Sequence, residues 1–331
     1  MASGYCRVGE LDKAIEYYQQ ALAIYREVKN QQMEGESLNN LGNIYTHLGE
    51  LRKAIDCYQQ ALIISREIKA QELEALVLNN LGMIHKDLGE LDKAVDNYQQ
   101  ALTINRKGKD QELETQILYN LGGTYKNLGK LDKAIEYYQQ ALIISKKINV
   151  QETAAQILNS LGIAYRNLGE LEKAIDYYQQ ALVISRETDD NQEEGLILNN
   201  LGVSYRNLGK LEKAIDYYQQ ALVINQKTED KQGEGSCLNN LGVAHIELNK
   251  TEAAHYYFKQ ALVVWEKIHS PSAEKARDNL NRLDNIENTE KQNFINETNV
   301  DVNALIFKKM LKWLVIFISG IGMIIWFITR S

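Results

Sequence analysis

The chain is predicted to be all-α: a solenoid of stacked antiparallel helix pairs, ending in a transmembrane helix. Three observations predict it. The phrase GELDKAIEYYQQAL, Gly9 to Leu22, returns at a fixed period of 40 residues from Gly49, Gly89, Gly129, Gly169 and Gly209, and in degenerate form, NKTEAAHYYFKQAL, from Asn249. Units repeating at this length bury their apolar face only against their neighbours, so they stack. The 331 residues contain a single proline, Pro271, which leaves long helices unbroken. From Trp313 to Thr329 no residue is charged.

Within one unit, Leu38, Leu41, Gly42 and Tyr45 fall on one face of a first helix, and Ala54, Tyr58, Ala61 and Leu62 on one face of a second. Between them Leu48-Gly49-Glu50 reverses the chain, with glycine in the left-handed conformation that ends a helix. The seventh copy has Asn249 there, the next most tolerant residue. A second glycine, Gly42 and its copies Gly82, Gly122, Gly162, Gly202 and Gly242, lies inside the first helix and costs about 1 kcal/mol against alanine. Close approach of the partner helix is expected to offset this, against the small residues Ala54, Ala94, Ala134, Ala174 and Ala214.

Charge and cysteine usage exclude several functions. A net charge of -7 disfavours nucleic acid, whose backbone needs a strongly basic partner. Cys6, Cys57 and Cys237 are widely spaced and fit a reducing compartment. No HExxH, Walker-type or GxSxG motif occurs, so neither a catalytic residue, a metal, a cofactor nor a small-molecule substrate is expected. His85 and His245 stand in for the tyrosine of the first-helix stripe and read as packed substitutes. The Tyr17-Tyr18 doublet and its copies read as packing too.

The pattern L-x-x-L-G-x-x-Y followed by G, A, an aromatic residue and A-L resembles the tetratricopeptide repeat, from the N-terminus to about Leu262. Six first helices and seven second helices match it. The period of 40 exceeds the family's usual length, and Arg66 and Arg186 stand where a closing proline is common. Both features resemble the longer repeats of kinesin light chains and Pins-type regulators. The resemblance implies a right-handed superhelix whose first helices line a concave groove for a peptide or helical segment of a partner.

Comparison of the copies points to that groove, because the second helices barely vary while the first helices differ at selected points. At about 100° per residue, Asn39, Asn43 and His47 are expected opposite the Leu38, Leu41 and Tyr45 stripe, facing the groove. One row there is Asn39, Asn79, Tyr119, Asn159, Asn199 and Asn239; its neighbour is Asn40, Asn80, Asn120, Ser160, Asn200 and Asn240. Such carboxamides can pair with the backbone of an extended peptide; solvated polarity copied by duplication would give the same rows. Their replacement by alanine is expected to spare the stack. A further row, Thr46, Lys86, Lys126, Arg166, Arg206 and Ile246, sets four cations in an acidic protein and suits an acidic ligand, or is an ordinary solvated face. The row Asn43, Met83, Gly123, Ile163, Val203 and Val243 turns from polar to apolar.

At the N-terminus Tyr5 and Gly9 align with Tyr45 and Gly49, so the first repeat is expected to lack the start of its first helix. The array is expected over 1–268, a capping helix over 269–286, a polar linker over 287–304 and a membrane anchor over 305–331. Ten of the 17 residues from Trp313 to Thr329 are Leu, Ile, Val or Phe, worth roughly 3 to 6 kcal/mol of insertion free energy. Lys308, Lys309 and Lys312 outweigh Arg330, which keeps the repeats cytoplasmic. The expectation is a tail-anchored, single-pass adaptor for a protein partner; a sensor whose superhelix switches on binding a peptide is the alternative.

Overall fold

The computed structural model describes residues 2–285, 289 and 305–312. Its helices are α1 (Ala2–Glu27), α2 (Gln31–His47), α3 (Leu51–Glu67), α4 (Gln71–Asp87), α5 (Leu91–Gly108), α6 (Gln111–Asn127), α7 (Leu131–Lys147), α8 (Gln151–Asn167), α9 (Leu171–Glu187), α10 (Asn191–Asn207), α11 (Leu211–Lys227), α12 (Lys231–Glu247) and α13 (Thr251–Lys267). Two more follow, α14 over 273–285 and α15 over 305–312. Among the described residues there is no strand. The chain divides into two compact units, 1–233 and 234–331.

In the first unit even-numbered helices are the first helices of the repeats and odd-numbered ones the second. Each first helix packs on the second helix before it and the one after it, and successive first helices also touch, from α2 through α4, α6 and α8 to α10. Successive second helices make no comparable contact. The first helices of this unit therefore lie on the inner side of its curve. Their sequences follow from that position, since contact on several sides buries Ser37, Leu38, Asn39, Leu41 and Ile44 of α2 together. A second helix such as α3 buries only one stripe, Ala54, Tyr58, Ala61 and Ser65.

The interior glycine has a different partner from the alanine expected. A methyl group at Gly122 would stand 2.6 Å from Cδ1 and Cε1 of Tyr138, and the same ring lies on the glycine in the other repeats, as Tyr58 does on Gly42. The flat ring needs the space a side chain would fill. The other tyrosine of each doublet works at the edge of the pair. Tyr137 stacks on Tyr125 with centroids 5.3 Å apart, and Lys133 lies 5.2 Å over the Tyr125 ring. Tyr177 with Tyr165, and Tyr217 with Tyr205, repeat the stack.

Two kinds of joint link the helices. Between first and second helix, Gly49 has φ +74°, and Glu50 N–H donates to the carbonyl of Tyr45 at 2.9 Å, closing α2. Between repeats the left-handed residue is Lys29, Lys69, Lys109, Asn149, Asp189 or Glu229, none of them glycine. Arg66, in the place of a closing proline, reaches past that joint to Glu74, Nε to Oε1 2.8 Å. Arg26–Glu34, Arg106–Glu114 and Arg186–Glu194 repeat the pair at 2.7 to 3.0 Å. The arginines are half exposed, so each pair contributes under about 1 kcal/mol. The joint between α7 and α8 has Lys146 and Ala154 at these positions and lacks the pair.

The start of the chain departs from expectation. Gly9 makes no turn: α1 runs unbroken for 26 residues, from the segment before Gly9 through the second helix of the repeat. Continuing the helix through residue 9 satisfies the backbone groups there within α1 itself.

In the second unit, Trp265 of α13 lies against Gly235 of α12, and Phe258 against Gly242. After a turn at Pro271, α14 sets Leu280 and Leu283 on Ala254 and Phe258. The exposed α15 carries Leu305, Ile306, Phe307, Met310 and Leu311. Among the described residues no helix is long and apolar enough to cross a membrane. The span expected at Trp313 to Thr329 and the linker expected over 287–304, except residue 289, lie outside the described residues.

The ring contact yields a paired test. A Gly122→Ala substitution should destabilise the chain by about 1–3 kcal/mol through overpacking on Tyr138. Gly123→Ala, whose methyl would meet only the Tyr138 hydroxyl at 3.6 Å, should be neutral or stabilise by up to about 1 kcal/mol through helix propensity. Urea unfolding followed by circular dichroism checks the pair, and equal effects would reject the ring contact as the reason for the glycine.

Candidate partner-binding face

The open sector of the first helices is centred on Glu36, Asn40, Asn43 and His47 and their copies, apart from the buried Asn80 and Ser160, because contacts on the other sides close the remainder. Asn39 lies about 100° round from Leu38, at the edge where the next repeat packs. The expectation that the first amide row faces the groove is thereby corrected. Asn39, Asn79, Asn159 and Asn239 are all buried, as is Asn80 of the second row.

These amides are spent on one another. Asn80 Nδ2 donates to Asn39 Oδ1 at 2.9 Å and to Asn43 Oδ1 at 3.2 Å. Asn120 Nδ2 donates to Asn79 Oδ1 at 3.1 Å, and Asn200 Nδ2 to Asn159 Oδ1 at 3.0 Å. In the second unit Asn279 of α14 donates to Asn239 Oδ1 at 2.9 Å. The ladder thus runs through the stack, from the second-row amide of one repeat to the first-row amide of the repeat before. Where Tyr119 replaces the first-row asparagine, the next repeat has Ser160, and Ser160 Oγ lies 3.3 Å from the Tyr119 hydroxyl. A longer side chain meets a shorter one across the same joint. Asn40, Asn120, Asn199, Asn200 and Asn240 are half-buried.

Asn159 makes a further bond, from Nδ2 to Oε1 of Glu193 at 2.8 Å. Glu193 is buried, and burial pushes its carboxyl above the usual range, while Asn159 opposes the shift. Sequence reading missed this acid, because its copies are Met33, Leu73, Leu113, Thr153 and Gly233.

The cation row sits one step toward the joint from the open sector. Lys86, Lys126, Arg166 and Arg206 are half-buried, and Arg166 Nη1 donates to Asn200 Oδ1 at 3.1 Å. Burial, then Lys86 and then Arg166, hold the Lys126 ammonium below the ordinary lysine value. Neither Lys86 nor Lys126 has a carboxylate or hydrogen-bond partner among the described residues. Beneath this row come the hydroxyls of the core tyrosines. Tyr58 Oη donates to Asn43 Oδ1 at 2.6 Å, but Met83 and Ile163 offer no acceptor, and the hydroxyls of Tyr98 and Tyr178 are buried without a partner. The polar-to-apolar row therefore withdraws a hydrogen bond as it gains groove hydrophobicity. His85, expected as a hydrogen-bonded packing residue, has Nδ1 2.6 Å from Glu90 Oε2. His245 stacks on Tyr257, and its Nδ1 is buried without a partner.

The buried ladder reverses an expectation about stability. Asn159→Ala strips Asn200 and Glu193 of a partner at once and should cost about 1–3 kcal/mol, lowering the thermal midpoint, whereas Asn127→Ala on the exposed end of α6 should leave it unchanged. Thermal unfolding of the two variants checks this, and a parental midpoint for Asn159→Ala would refute the structural role of the ladder.

Among solved structures the chain is similar to BtubC from P. vanneervenii, with 23% identity, a TM-score of 0.60 and coverage of 66% of this chain and 92% of that one. It is similar to a signal transduction ATPase with numerous domains and a tetratricopeptide repeat sensor from Pyrococcus horikoshii, at 20% identity and TM-score 0.69, covering 82% of this chain but only 41% of that one. The apo form of RapI matches at 17% identity and TM-score 0.60, over 78% of this chain and 99% of that one. At these identities the likeness is one of fold. No curated protein sequence matches the chain. The family model of the tetratricopeptide repeat matches residues 1–67, 33–107, 73–147, 113–187, 153–224 and 193–267. With helix pairs, turn glycines and matched residues running through the array, the chain belongs to the tetratricopeptide repeat family and is a protein–protein interaction scaffold.

Proposed function

We propose that the chain is a membrane-tethered, non-enzymatic adaptor that holds a peptide or helical segment of a partner protein on the inner face of its first helices, with the repeats in the cytoplasm. The row Lys86, Lys126 and Arg166 carries the reading. Three cations from consecutive repeats stand within electrostatic reach of one another, and no carboxylate answers the first two among the described residues. A partner carboxylate would relieve both their repulsion and their desolvation. Gly123 leaves the groove floor without a side chain between Met83 and Ile163, giving an acidic group room to approach Lys126. Arg206 and the half-buried amides Asn40, Asn120 and Asn200 extend the same face.

The tether rests on α15 and the sequence after it. Leu305, Ile306, Phe307, Met310 and Leu311 are exposed alongside Lys308, Lys309 and Lys312, and the uncharged stretch follows directly. Lysines at a membrane boundary put their ammonium groups in the headgroup region while their stems lie along apolar surface. Their excess favours a cytoplasmic array.

Fluorescence anisotropy of the full chain in detergent, titrated with an acidic peptide, tests the groove. Lys126→Glu should weaken binding about tenfold or more and flatten its salt dependence. Since the charged form of Lys126 attracts the ligand, parental binding should weaken as pH rises through its lowered pKa. Unaltered affinity in Lys126→Glu would reject the cation row as the site. The tether is tested separately: the full chain should stay with the membrane pellet after alkaline extraction, and Asn296 in its Asn296-Glu297-Thr298 sequon should remain unglycosylated in a eukaryotic host. Recovery in the alkaline supernatant would refute it.

A further inference from the structure

The inner face of the first unit is polarised along its helix axes. Across the N-terminal ends of α2, α4 and α6 lies a cleft of about 360 Å³, with Glu36, Glu72 and Glu112 around Leu73, Leu76 and Leu113. Leu73 and Leu113 are buried, Leu76 half-buried. Asp110 also lines the cleft, and no lysine or arginine does.

Acidic residues in a first turn ordinarily answer the helix dipole, and Asp110 does so as the cap of α6, accepting from the amides of Glu112 and Leu113 at 3.0 and 3.1 Å. In the same turns Glu74 and Glu114 are taken by Arg66 and Arg106. Glu72 and Glu112 have no ion-pair partner among the described residues. Fourteen residues along the same helices, about 21 Å at 1.5 Å per residue, stand Lys86 and Lys126. Glu36 accepts from Gln32 Nε2 at 2.7 Å, so the cleft combines an apolar floor with two carboxylates, Glu72 and Glu112, that no cation answers among the described residues, and the opposite charge lies at a fixed distance on the same face.

We propose that this cleft is a second subsite of the partner-binding face, taking lysine or arginine side chains of an amphipathic segment whose apolar residues sit on Leu73, Leu76 and Leu113 and whose acidic residues reach Lys86 and Lys126. The inference rests on the groove reading above and gives the partner a charge pattern. Its basic and acidic residues are separated by about six residues if the segment is extended, or about fourteen if it is helical.

The test uses the full chain in detergent and synthetic fluorescent peptides sharing one apolar stripe. One set carries a basic and an acidic block at each of the two spacings, and another has the basic block replaced by glutamine. At one of the spacings the two-block peptide should bind about tenfold more tightly than its acidic-only counterpart. In the combined Glu72→Gln and Glu112→Gln variant that advantage should vanish, with acidic-only binding no weaker than in the parent. Persistence of the advantage in the variant, or its absence in the parent at both spacings, would overturn the subsite. Loss of acidic-only binding in the parent would instead strike the cation-row reading, and an advantage abolished by the glutamine variant would leave the cleft standing alone.

Discussion

The array depends on one contact, a tyrosine ring laid on a glycine. Tyr138 over Gly122 brings α6 and α7 so close that the ring needs the space a methyl group would take. A helix surface normally keeps its partner 8–10 Å away, axis to axis, through its side chains. Removing one side chain at the crossing admits a large flat residue without widening the pair. The glycine's conformational cost of about 1 kcal/mol is small beside the burial of a whole aromatic side chain, worth roughly 1.5–3 kcal/mol. From Tyr58 to Tyr218 the tyrosine is never more than 2% exposed and its ring stands 2.5 to 2.6 Å from the methyl position of the glycine, so the pairs share one contact, and a uniform pair can be stacked with a uniform step.

Uniform steps raise a problem of register, which apolar contact alone does not solve. Leucine and alanine surfaces slide over one another at little cost, because dispersion has no direction. The carboxamide relay does have direction. Asn120 reaching Asn79, and Asn200 reaching Asn159, each require one spacing between neighbouring repeats. A slipped joint would leave buried amides unpaired at about 1–3 kcal/mol each. The bond from Asn279 to Asn239 gives α14 the same fixing, so α14 docks as a first helix would.

The fold was legible because the repeat supplies its own alignment. Period, paired apolar stripes and turn glycines gave the helix pairs, and Asn249 at φ +57° behaves as its place in the pattern required. The left-handed joints between repeats were harder to see, since lysine, aspartate and glutamate carry no turn signal at Lys69, Asp189 or Glu229. The face was less legible than the fold. A helical wheel referred to a single apolar stripe puts Asn39 on the open side, but a first helix is packed on several sides and its open sector is narrow. One signal for the buried ladder was present: Tyr119 and Ser160 both depart from asparagine, 41 residues apart, which pairs a first-row position with the second row of the next repeat. Nothing comparable marks Glu193, whose neighbours matter only once the helices are packed.

Burying the amides also changes how the face can evolve. Positions inside the ladder are tied in pairs across a joint, so a change at one must be answered at the other, as Tyr119 and Ser160 illustrate. Asn43, Met83, Gly123 and Ile163 are under a weaker constraint: of the two bonds Asn43 accepts, the one from Asn80 has Asn39 as a shorter second acceptor, so the bond at stake is the one Tyr58 donates. Losing it orphans a tyrosine hydroxyl, as at Tyr98 and Tyr178, but leaves the ring contact intact. The groove floor can therefore shift from polar to apolar one repeat at a time without disturbing the step between repeats. Specificity in this array can accumulate on the open sector because register and separation are held elsewhere, by the amides at the joints and the rings over the glycines.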